Sequence, residues 1–123
     1  MTDPAAAPGG LWTTAGDLAR LIVAIQRSYD GSGDFPPREL AREMLRRQTE
    51  HHDIGLGVYL LGDDSTPARR FSHTGAYLGY KAEMLGWLAG GHGAAVMVNN
   101  GYTGVALRSE IMDALQRSYG WPM

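Results

Sequence analysis

The stretch Arg70–Met84, RFSHTGAYLGYKAEM, sets an imidazole, a hydroxyl and a glycine side by side at His73, Thr74 and Gly75. They fall where one predicted strand ends and another soon begins. A turn at that point needs only the glycine. A catalytic cleft could use all three: an imidazole that holds or moves a proton, a hydroxyl that hydrogen-bonds a substrate, and a position where substrate can approach the backbone. Other reactive arrangements are excluded by inspection. The chain has no cysteine, so disulfides, thiolate catalysis and cysteine metal sites are ruled out. It contains no G-x-S-x-G, no H-E-x-x-H and no Walker loop. His51, His52 and Asp53 are potential metal ligands, but adjacent residues of an extended segment point apart and match no known ligand spacing. Exposed loop histidines are therefore the expectation, with no metal and no cofactor.

Several elements must position these residues. The opening DPAAAPGG reads as loop. Thr14 and Asp17 then fit a capping box, and Leu18, Leu21, Ile22 and Ile25 recur on one face of a helix. YDGSGDFPP breaks it, and a second helix is predicted over Arg38–Arg47 with Leu40 and Met44 inward, Ala41 being a further candidate. GLGVYLL, Gly55–Leu61, reads as a strand, GDDSTP as a turn and RRFSH as a short strand. Gly79–Leu88 partly alternates, with Tyr80, Ala82, Met84 and Leu88 on one side and Lys81 and Glu83 on the other. AGGHG is a hairpin loop, Ala94–Asn99 a buried strand, and Thr103–Tyr119 a last helix with Leu107, Ile111 and Leu115 on one face. Trp12, Trp87 and Trp121 are expected in the core or covering an edge. Two helices, an antiparallel strand series and a closing helix, with no βαβ crossover, make the fold class α+β.

Composition bounds the function classes. A chain of 123 residues is one domain or a piece of one. Its 44% apolar and 20% charged residues fit a globular protein, and its 17 glycines favour strands and turns over a helical bundle. The net charge is −2, and Glu39, Glu43 and Glu50 surround the Arg38, Arg42, Arg46 stripe. That stripe therefore reads as a solvated helix face rather than a nucleic-acid surface. No apolar run approaches the roughly 18 residues of a membrane span. The absence of cysteine leaves the compartment undetermined.

The order of segments around His73-Thr74-Gly75 resembles the C-terminal part of the serine β-lactamase and penicillin-binding-protein family, especially its class C and esterase-like branch. PGGLWTTAGDLARLIVAIQ resembles that family's GGL-x-[ST]-[ST]-x-x-DLA helix start. GLGVYLL is similar to the strand before its third motif, and EIMDALQRSYGWP to a common family ending. The resemblance spans nearly the whole chain. It implies an acyl-serine mechanism on an ester, amide or β-lactam. By position, His73 would be the basic member of the third motif, Thr74 its hydroxyl contact and Gly75 the point of close backbone approach. Ala76 N–H would be one oxyanion donor. Tyr77, like Tyr80, either shapes the cleft rim and meets substrate or is cross-strand packing. Histidine departs from the family's commoner lysine. A neutral imidazole is no fixed positive charge, so the motif leans toward esters or small peptides rather than penicillins.

The family's other two motifs are missing. Leu78 stands three residues before the only lysine, Lys81, so no Ser-x-x-Lys exists. Met97 and Val98 stand two before Asn99 and Asn100, so no Tyr-x-Asn exists. The resemblance therefore implies that upstream sequence supplies the nucleophile and that the isolated chain is inactive. It also implies an open edge on the Ala94–Asn99 strand, to be met by the missing N-terminal half or by self-association. The alternative is a non-catalytic, truncated relic or interaction module of the same fold.

Overall fold

A computed structural model describes residues 9–123. The predicted opening loop lies outside that range except for Gly9 and Gly10. The chain folds as α1 (Ala15–Asp30), α2 (Arg38–Met44), β1 (Tyr59–Leu61), β2 (Arg70–Tyr77), β3 (Tyr80–Trp87), β4 (Gly93–Val98) and α3 (Gly104–Tyr119). The strands form one antiparallel sheet in the order β1-β2-β3-β4. The α+β class follows directly. Both connections inside β2-β3-β4 are short hairpins, which only antiparallel neighbours can use.

Helix α1 starts where the capping box predicts. Thr14 Oγ1 accepts the Asp17 N–H at 3.1 Å, satisfying a donor that has no partner within the helix. Gly31, at φ 91°, closes the other end. Ile22 and Ile25 pack into one core with Leu45, Val58, Leu60 and Phe71. Leu21, expected on that face, stays exposed. Ile22 reaches the sheet at a glycine notch: Gly86 on β3 and Gly93 on β4 are register partners, and a Cβ on either would lie 2.7 Å from Ile22 Cγ2. The opposite sheet face carries Leu85, Trp87, Val96 and Val98, closed by Met112 of α3. The architecture is thus helix, sheet, helix, with an apolar core on each face.

Four local expectations need correction. Helix α2 ends at Met44 rather than Arg47, because the Met44 carbonyl accepts the Leu56 N–H at 2.9 Å instead of continuing the helix. Its buried residue is Ala41, while Leu40 is exposed. Of GLGVYLL only Tyr59–Leu61 is strand. Gly55 N–H closes a turn onto Val58 C=O at 2.9 Å, and Gly57 sits at φ 72°, a left-handed conformation incompatible with a strand. Helix α3 is rotated from its predicted face. Gly104, Met112 and Gln116 are buried, whereas Leu107 and Ile111 are exposed. The close approach of Gly104 to Lys81 and Val98 sets that rotation, together with the Arg108–Glu83 ion pair. Trp12 is exposed over 90% of its surface, neither core nor edge cover, whereas Trp87 is fully buried and Trp121 packs against it.

Candidate functional site

His73, Thr74, Gly75, Ala76 and Tyr77 do not sit at the end of a short strand. They are the last five of the eight residues of β2, which runs on to a two-residue hairpin at Leu78 and Gly79. Both hairpin residues have positive φ, 35° and 87°, the pattern of a type I′ turn, whose twist matches the flanking strands. Glycine suits that role, whereas leucine is strained there. The physical reason for the longer strand is pairing. Each of the five residues has a register partner on β3: His73 with Met84, Thr74 with Glu83, Gly75 with Ala82, Ala76 with Lys81 and Tyr77 with Tyr80.

The hairpin fixes which backbone groups are free. The residues flanking a two-residue turn form a hydrogen-bonded pair, and the pairs then alternate along the ladder. Tyr77, Gly75 and His73 therefore turn their N–H and C=O toward β3, while Ala76 and Thr74 turn theirs to the other edge. The next hairpin gives the same phase independently: Trp87 N–H bonds to His92 C=O at 2.9 Å, which places Leu85, Glu83 and Lys81 in bonded pairs with β4. Strand β1 covers β2 only opposite Arg70, Phe71 and Ser72. Among the described residues, no strand covers the outer edge of β2 from His73 to Tyr77, and the N–H groups of Thr74 and Ala76 project from it.

Side chains alternate across this edge. His73, Gly75 and Tyr77 lie on the α1 face with Phe71, and Thr74 and Ala76 on the α3 face. All five residues are exposed. A ligand that meets both the imidazole and the hydroxyl must therefore straddle the strand edge. The His73 ring lies 6.2 Å from the Tyr59 ring, centroid to centroid, with the planes 23° apart. Gly9 runs beside the Tyr77 ring, which is half exposed.

The structure adds three residues that sequence reading missed. Tyr59 reaches His73 from β1. Glu83 shares a face with Thr74 as its cross-strand neighbour, and directly opposed Cβ atoms lie about 4.5–5.5 Å apart. Arg108 meets Glu83 from α3, with Nε 3.0 Å from Oε2 and side-chain exposures of 13% and 17%. The Arg108 Nε–H is not aligned on that oxygen and is a buried donor without a hydrogen bond, so this is an ion pair by distance only. Burial pushes the Glu83 carboxyl above the usual range, Arg108 opposing and Asp113 assisting. No signal in the sequence joins residues 25 positions apart on a strand and a helix; only the packing of α3 does.

Among the described residues no group of three histidine, aspartate or glutamate side chains could hold a metal. His51 and His52 are exposed loop residues. No described helix is long and apolar enough to cross a membrane. Comparison with protein-family models, curated proteins and solved structures found no match.

Proposed function

We propose that this chain is the C-terminal portion of a serine hydrolase resembling β-lactamases, penicillin-binding proteins and related esterases. It would contribute one wall of an active site that cleaves an ester, amide or β-lactam through an acyl-serine. The observation that carries the reading is the open half of β2, where Ala76 N–H projects beside His73 and Thr74. An outward N–H on a rigid strand is preorganised to stabilise the oxyanion of a tetrahedral intermediate. Thr74 would hydrogen-bond the substrate, His73 would supply the polar group of the motif, and Gly75 would leave room at the backbone. Tyr77 would border the substrate. The nucleophilic serine, its lysine and a second proton-transfer group would come from upstream sequence.

The outer edge of β4 supports the same reading. Among the described residues no strand pairs with Gly93–Val98 on that side, and Met97 beside it is exposed. An uncharged edge of this kind invites another strand. The same edge favours a second reading, in which the chain is a non-catalytic interaction module whose partner strand adds to β4.

The test begins with the coding sequence upstream of Met1, read in frame. The hydrolase reading expects a Ser-x-x-Lys followed by a Tyr-x-Asn-like motif, and labelling of the extended chain by a fluorescent penicillin or a fluorophosphonate. The chain of residues 1–123 should take no label. An extended chain without those motifs, or one that carries them, folds and resists both probes, would overturn the proposal.

A further inference from the structure

At the other end of the sheet lies a groove of about 740 Å³ between α2, the β1–β2 connection and the end of β3. Leu45, Leu88 and Tyr29 give it an apolar floor, and Arg42, Arg46, Arg47 and Arg69 bring four guanidinium groups to its wall. Three of these are matched by carboxylates. Arg46 pairs with Glu43 at 2.6 Å, Arg47 with Asp53 at 2.5 Å, and Arg69 with Asp64 at 2.7 Å. Arg69 is held further by the Gly62 carbonyl, and its side chain is only 8% exposed, so it is a fixed part of the wall. Arg42 alone of the four has no carboxylate within 4.0 Å among the described residues; its one side-chain hydrogen bond there is a long one, from Nε–H to the Tyr29 carbonyl at 3.5 Å. Four cations against three anions leave one positive charge beside an apolar floor.

We infer that this groove binds a small amphipathic monoanion, its carboxylate or equivalent head group on Arg42 and its hydrocarbon body over Leu45 and Leu88. The charge balance argues against a multiply charged ligand, since the remaining arginines would first have to release their own carboxylates. The floor argues against a bare inorganic anion, which would leave the apolar surface uncovered. Arg69 precedes β2 and is seven residues from Ala76, about 23 Å along an extended strand. The groove is therefore separate from the open edge, and the inference does not depend on the hydrolase reading.

Octanoate is a suitable probe. Calorimetric titration of the folded chain should show saturable one-to-one binding, with octanamide and inorganic phosphate giving none. Methyl resonances of Leu45 and Leu88 should shift with the same concentration dependence. Arg42→Gln should weaken binding about tenfold or more, the loss expected for one charge-assisted hydrogen bond, and Arg42→Lys should restore much of it. Arg42 lies on an exposed helix face, and circular dichroism checks that both variants keep the fold. The proposal is overturned if octanoate does not bind, if Arg42→Gln binds it equally well, or if phosphate binds as tightly. Methyl shifts confined to residues outside the groove would overturn it as well.

Discussion

Gly86→Ala tests the packing that seats the sheet on α1. A Cβ at residue 86 would lie 2.7 Å from Ile22 Cγ2, 2.7 Å from Phe71 Cζ and 2.8 Å from Phe71 Cε1. Carbon atoms pack best at about 3.5–4.0 Å, so the methyl intrudes by roughly 1 Å on two side chains. Neither can swing aside: Ile22 is 1% exposed and Phe71 is fully buried. Ile22 is also wedged against Gly93, which a retreat along the sheet would have to clear. Overpacking of this kind costs about 1–3 kcal/mol, which for a domain of this size lowers Tm by something on the order of 5–15 °C. Urea titration followed by circular dichroism measures the loss, and an unchanged slope would show that the surface exposed on unfolding is the same in both chains. Ile22→Ala alone should cost about 2–5 kcal/mol by opening a cavity. The double variant should cost at least about 1 kcal/mol less than the two single losses together, because the new methyl enters the space Ile22 vacates. A Gly86→Ala chain within about 0.5 kcal/mol of the parent, or strictly additive losses, would refute the notch.

The remaining predictions address the candidate site. Glu83 has its carboxyl raised in the folded state by burial, so its ionisation costs stability. The difference in Tm between the parent chain and Glu83→Gln should therefore move in favour of Gln as pH rises from the ordinary carboxyl value through the raised folded one; a constant difference from about pH 4 to 8 contradicts this. The phase of the β2 ladder predicts that Gly75→Pro, which loses an N–H bonded to β3, destabilises by about 1–3 kcal/mol. Ala76→Pro, which loses an outward N–H, should cost clearly less in the same urea assay; equal losses would contradict the assigned phase, and a larger loss at Ala76 would reverse it. Leu78→Asn should raise stability by about 0.5–1 kcal/mol, since asparagine tolerates the positive φ that strains leucine; a loss would mean that the exposed Leu78 side chain makes contacts worth more than the strain.

Much of this molecule was legible in residue order because local rules govern it. The Thr14–Asp17 cap, the spacing of Ile22 and Ile25, and the Gly-rich break before β4 each depend on neighbours a few residues apart. They specify an α+β chain with antiparallel strands. His73, Thr74 and Gly75 stood out by residue type, whereas Ala76 entered only through the resemblance of the segment order to a known family, and Tyr77 was open between cleft rim and cross-strand packing. The sequence could not show that they continue a strand instead of ending one, because their partners on β3 extend that strand through Tyr77. Nor could it show that β1 stops short and leaves Ala76 without a partner strand on that side among the described residues, since glycines at 55 and 57 turn the chain where apolar composition reads as strand. The face of α3 was decided the same way: Leu107 and Ile111 satisfy helical periodicity, yet Gly104 and Arg108 had to meet Lys81 and Glu83 across the sheet. Periodicity records which residues can share a face. Which face is buried, and which backbone groups stay open, is set by contacts between segments distant in sequence, and only the assembled sheet and helices define those.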